Sequence, residues 1–213
     1  PSKSPRSHPS RGKAAAGVGI SRGSCQPPRM PRINPEHARR GAAAEADFKR
    51  WLDYSGVPYV YATQDIESVP EGFRGKLKRP DYLVGLPFVG NMAFDVKSKT
   101  IYEGCLLFDV PEVEKLTAFD DLFRISTFFA CLDPGGGDRA TWFRLPELKH
   151  CRTRRMRRGA VYVAPLSAGI TVDMREPFQE ALRATISPGV VIELKKDPPR
   201  MRWVCVVDIG SAR

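Results

Sequence analysis

Histidine and paired cysteine are what this 213-residue chain has least of. Its three histidines, His8, His37 and His150, are dispersed, so no His-based metal site or catalytic triad can be read from them. Five cysteines, Cys25, Cys105, Cys131, Cys151 and Cys205, form no CxxC pair. That excludes the usual zinc spacings, and the odd count argues against a complete disulfide framework, so a reducing compartment is expected. No apolar run approaches the ~20 residues that span a bilayer, and no membrane partner is expected. Acid is nearly absent from residues 1–44, where nine Lys or Arg face Glu36 alone and supply +8 of the net +10. Carboxylates and lysines are what remains for catalysis.

Residues 1–33 are rich in Pro, Ser, Gly and Arg without apolar periodicity, and are expected to form a disordered basic leader. Asn34 is a good N-cap, Pro35 suits the first helical position, and Ser55-Gly56 supplies a stop, which predicts a helix from 34 to 55. Glu45, Phe48 and Leu52 fall on one face of it, an unusual place for a carboxylate. VPYVYATQ (57–64) reads as a strand. A polar, glycine-containing loop follows, with Arg74, Lys76, Lys78 and Arg79 ahead of Asp81.

The stretch KRPDYLVGLPFVGNMAFDVKSKT, residues 78–100, organises the rest. It reads as two strands joined by a short Gly/Pro/Asn connection. Alternation puts Asp95 and Lys97 on one face and Phe94 and Val96 on the other. Asp81 on the neighbouring strand brings a second carboxylate to the same place. Such a set suits phosphodiester hydrolysis. Carboxylate oxygens hold Mg²⁺, which polarises the phosphoryl group and lowers the pKa of a bound water, while an ammonium positions that water.

Pro80-Asp81 and Asp95-x-Lys97, 14 residues apart, resemble the two halves of the PD-(D/E)XK nuclease signature. The resemblance covers roughly residues 35–148. Beyond the second motif a helix is expected over 111–125, with strands at 127–132 and 140–145. That order matches the α/β, restriction-endonuclease-like or Holliday-junction-resolvase-like αβββαβ core, a mixed central sheet flanked by helices. The resemblance implies Asp81 and Asp95 as ligands of Mg²⁺ (or Mn²⁺), with the Val96 carbonyl as a further oxygen and Lys97 as the water-orienting cation. Glu45 matches the acidic residue that the family's first helix often contributes near the metal, which implies a catalytic role there as ligand of a second ion or of a metal-bound water.

The resulting organisation is a leader 1–33, a nuclease core 34–148, and a basic connector with an α+β extension over 149–213, packed on the core. KHCRTRRMRRG (149–159) is the densest basic run outside the leader. Arg152, Arg154, Arg155, Arg157 and Arg158, together with Lys99 and the 74–79 cations, are the expected contacts to backbone phosphates. Glu193-Leu194-Lys195 is a second match to (D/E)XK, but it lacks the Pro-Asp half.

The leading expectation is a metal-dependent DNA endonuclease, with RNA left open as substrate and a homodimer called for if both strands are cut. One alternative is an effector-type DNase toxin from a longer secreted product, neutralised by an acidic immunity partner and delivered to a target-cell cytoplasm. Another is a non-catalytic nucleic-acid-binding protein. A housekeeping enzyme would be cytoplasmic.

Overall fold

The structure, a computed structural model, describes residues 34–65, 69–86, 90–185, 190–197 and 202–209, with side chains up to residue 185 apart from Ala184. All of these belong to the second of the chain's two units, Ile33–Arg213. The expectation for the leader 1–33 lies outside the described residues.

Helix α1 (Pro35–Ser55) begins as its sequence dictates. Asn34 Oδ1 accepts the Glu36 N–H at 3.0 Å, and Gly56 takes the left-handed cap at φ 63°. Its buried stripe, Ala44, Phe48, Trp51 and Leu52, lies on a six-stranded sheet. That sheet has the order β1 (Tyr59–Tyr61), β2 (Tyr82–Leu86), β3 (Gly90–Ser98), β5 (Ser126–Leu132), β6 (Arg139–Arg144), β9 (Ile170–Asp173). It is mixed: β3 and β5 are parallel, and the other neighbours are antiparallel.

Strand alternation divides the sheet's two faces. Phe94, Val96, Phe128, Ala130 and Trp142 point to α1 and α4 (Phe178–Thr185). Phe129, Cys131 and Phe143 point to a second core. Trp142 ties the first core together, with ring centroids 4.8 Å from Phe94 and 5.4 Å from Phe178. Ser55 Oγ accepts the Phe178 N–H at 2.9 Å, which pins the start of α4 to the end of α1.

The second core is covered by α2 (Val110–Phe123), α3 (Leu145–Lys149) and a three-stranded sheet. That sheet runs β4 (Cys105–Asp109), β8 (Gly159–Pro165), β7 (Thr153–Met156). A separate hairpin pairs β10 (Val190–Asp197) with β11 (Arg202–Ile209). The fold class expected from the sequence is therefore observed: a mixed central sheet flanked by helices, with an α+β extension.

Two differences stand out. Strand β4, between the DxK strand and α2, was not anticipated. It leaves the main sheet to pair with β8, far along the chain. The basic run at 149–159, expected as a connector, carries regular structure. It forms the end of α3, the edge strand β7 and a tight turn into β8. Charged side chains on an exposed edge strand deter further strand pairing. Among the described residues no helix is long and apolar enough to cross a membrane.

Candidate functional site

Pairing of β2 with β3 sets the site. Tyr82 lies opposite Phe94, and the Asp81 N–H donates to the Phe94 carbonyl at 2.9 Å, so Asp81 enters beside Asp95. Asp81 Oδ2 accepts the Val96 N–H at 2.7 Å. Burial, and after it the charge of Asp95, pushes the Asp81 carboxyl up to about 7.

Asp95 is fully buried on the second face of the sheet and is met by two cations. Lys78 Nζ donates to its Oδ1 at 2.6 Å, and Lys97 Nζ lies 2.5 Å from its Oδ2. The latter contact is a short, charge-assisted ion pair. Glu112, in the first turn of α2, closes the cluster. Its Oε1 lies 2.6 Å from Lys78 Nζ and 3.1 Å from Lys97 Nζ.

The four charges shape one another. Burial works against the Lys97 ammonium, but Asp95 and Glu112 outweigh it and hold the lysine above its ordinary value. Burial likewise opposes ionised Glu112, yet Lys97 and Lys78 bring it down to about 2. Two ammoniums and two carboxylates thus balance in a largely desolvated place, where unpaired charge is costly.

Glu45 stands apart from this cluster. It is half-buried at the edge of the α1 stripe, where its Oε2 accepts the Tyr61 hydroxyl at 3.1 Å. The charges of Glu45 and Asp81 both bear on that hydroxyl and, after burial itself, raise its pKa. Val96 is buried, its side chain in the α1 core.

The basic residues sort into three places. Arg74, Lys78 and Arg79 line a cleft of about 230 Å³ beside the cluster, and Lys76 is exposed next to it. Lys99 lines a different cleft, of about 270 Å³. Arg152, Arg154, Arg155, Arg157 and Arg158 are exposed on β7, just before it and in its turn.

Asp81 and Asp95 are carboxylates, the ligand type that Mg²⁺ and Mn²⁺ take. They adjoin closely enough for one charge to perturb the other, and both Asp95 oxygens are met by ammonium groups, the places a cation would take. Mg²⁺ takes one or two carboxylates and completes its shell with water and substrate phosphate. Among the described residues no group of three or more His, Cys, Asp or Glu is placed to hold a metal ion by itself. Glu112 was missed by sequence reasoning. Its only local signal is an acid after Pro111 at a helix start, which says nothing of the strand it will meet.

A helix, three strands of the main sheet, a helix and a fourth strand, with the Pro-Asp pair entering the strand beside DxK, make up a mixed α/β fold. No family model matches the chain, and no curated protein does. The chain is similar to a solved Holliday junction resolvase, Hjc, from the archaeal hyperthermophile Archaeoglobus fulgidus. Identity is 18%, over 63% of this chain and 91% of that one, with a TM-score of 0.43.

Proposed function

We propose that the protein is a metal-dependent nuclease that hydrolyses DNA phosphodiester bonds at Asp81, Asp95 and Lys97. The observation that carries this reading is the Asp95–Lys97 ion pair on a buried strand face, with Asp81 adjoining it. The metal, held by Asp81 and Asp95 with the Val96 carbonyl as a further oxygen, would supply charge for the phosphoryl group and acidify a bound water.

The chain's own residues do the rest. Lys97, kept charged by Asp95 and Glu112, donates to the attacking water and fixes its direction. Glu112 holds Lys97 in place. Glu45 acts through the Tyr61 hydroxyl rather than on the reacting atoms. Arg74, Lys76 and Arg79 meet the phosphate backbone ahead of Asp81, and the arginines of β7 and its turn add sequence-independent affinity.

The test is incubation with supercoiled plasmid in Mg²⁺, with an EDTA control and the Asp95→Ala and Lys97→Ala variants. Cleavage that disappears with EDTA and with either substitution supports the assignment, whereas cutting by the variants refutes it. Parallel incubation with RNA decides the substrate.

A second reading, a non-catalytic nucleic-acid-binding protein, draws on the balanced charge of the cluster, in which each lysine already has two carboxylate partners. Tight, steeply salt-dependent binding to DNA without any cleavage would favour it.

A further inference from the structure

Past the end of β3 the chain makes a tight turn, Glu103-Gly104, whose incoming arm is apolar and exposed. Tyr102 is 60% and Ile101 48% exposed, yet the backbone beneath them is firmly held. The Tyr102 N–H donates to the Cys105 carbonyl at 2.9 Å, and the Cys105 N–H returns to Tyr102 at 2.8 Å. Glu103 and Gly104 between them are both left-handed, at φ 50° and 73°, the geometry of a two-residue hairpin turn. The Leu166 N–H fastens this turn from the second sheet's side through the Gly104 carbonyl at 3.0 Å.

Tyr102 forms one wall of the cleft of about 270 Å³. The same cleft is lined by His37 and Arg40 of α1 and by Lys99 with Thr100. Lys99 is itself positioned. Its Nζ donates to the Leu107 carbonyl at 2.7 Å and sits 5.0 Å from the Phe108 ring centroid, which leaves further ammonium donors for a ligand. On the chain Lys99 comes two residues after Lys97, roughly 7 Å along an extended strand.

We infer that this cleft binds an unpaired nucleotide, its base stacked on Tyr102 and its phosphate held by Arg40 and Lys99. This deepens the nucleic-acid reading above and rests on it. A base inside a duplex has both faces covered by its neighbours, so a presented aromatic ring can stack only on a base that has left the helix. The cations alone would serve any phosphate. The ring, carried on a turn whose backbone is already held, selects a flexible or branched strand, and Lys99, two residues past Lys97, ties the cleft to the strand of the proposed site.

The test measures binding in EDTA, where cleavage plays no part. A labelled forked duplex with unpaired arms is compared with a fully paired duplex of equal length. Wild type should favour the fork, and Tyr102→Ala should lose about tenfold on the fork while changing little on the duplex. Tyr102→Phe should retain the preference. A 2-aminopurine in the unpaired arm should be quenched by wild type and not by Tyr102→Ala. Arg40→Ala should weaken both DNAs and reduce the salt dependence. Equal fork affinity of wild type and Tyr102→Ala overturns the inference. Plasmid cleavage with no Tyr102-dependent preference would defeat this proposal alone, and a preference without cleavage would defeat only the hydrolytic reading.

Discussion

Lys78 Nζ lies 2.6 Å from Asp95 Oδ1, reaching it from the loop ahead of the Pro-Asp pair, 17 residues back along the chain. The same ammonium is 2.6 Å from Glu112. Lys78 therefore stands where an added cation would meet Asp95, and the Lys78 N–H, donating to the Lys115 carbonyl at 3.2 Å, moors this loop to α2. Replacing Lys78 by Met should destabilise the metal-free protein by about 1–2 kcal/mol. This is less than the ~3–5 of a fully buried pair, because the Lys78 side chain keeps 24% exposure. Mg²⁺ should then raise the melting temperature of Lys78→Met more than that of wild type. An equal metal-induced rise in both would show that Lys78 does not compete for the position.

Glu112 is one of two carboxylates that keep Lys97 charged. In Glu112→Gln the Lys97 ammonium should lose its proton at lower pH, and the alkaline limb of the cleavage profile should move down with it. Removing only a structural contact would lower activity at every pH without moving that limb. A pH–rate series on both proteins reads the difference.

Asp81 gives stability a pH dependence of its own. Its ordinary value of 3.8 rises to about 7 in the fold, so between those values the folded chain keeps a proton that the unfolded chain has released. Stability in EDTA should therefore fall as pH rises from about 4 to 7, by an amount on the order of a few kcal/mol. Glu112 acts in the opposite window, its contribution fading below its ordinary value of 4.5 as pH drops toward about 2. Asp81→Asn, which can still accept the Val96 N–H, should flatten the upper slope. Thermal melts from pH 5 to 8 that show the same slope in both proteins would contradict this.

What could be read from the sequence was whatever depends on local chemistry. Asn34 and Gly56 marked both ends of α1, and the period of two in FDVK separated Phe94 and Val96 from Asp95 and Lys97. Partners brought in from a distance could not be read. Glu112 reaches Lys97 only because β4 carries the chain out to β8 and back into α2, and nothing in CLLFD announces that pairing. Lys78 looked like one more cation in a basic loop, since its bond to Asp95 depends on where the loop lands. Glu45 carried the right spacing for the core stripe, but its hydrogen-bond partner Tyr61, supplied by a strand, could not be read from it.

Gly169 shows how closely the extension meets the central sheet. A Cβ built there would lie 2.6 Å from Thr141 Cγ2 and 2.9 Å from Phe143 Cζ, both on β6. Phe143 is fully buried in the second core and cannot swing aside without moving its neighbours. Gly169→Ala should therefore cost about 1–3 kcal/mol, the usual range for overpacking. A melting temperature equal to that of wild type would mean that β9 yields easily at this edge.

The second (D/E)XK match, Glu193-Leu194-Lys195, lies on β10, whose only strand partner among the described residues is β11. Glu193 is registered opposite Val206 and Lys195 opposite Val204, within a hairpin outside the six-stranded sheet that carries Asp81 and Asp95. The acid on β11, Asp208, is registered opposite Val191 rather than Glu193, and no Pro-Asp pair accompanies this match. The Glu193→Ala/Lys195→Ala double variant should cut plasmid at the wild-type rate, while Asp95→Ala should not cut at all. Loss of cleavage in the double variant, with its melting temperature unchanged, would shift the assignment from the central sheet to the hairpin.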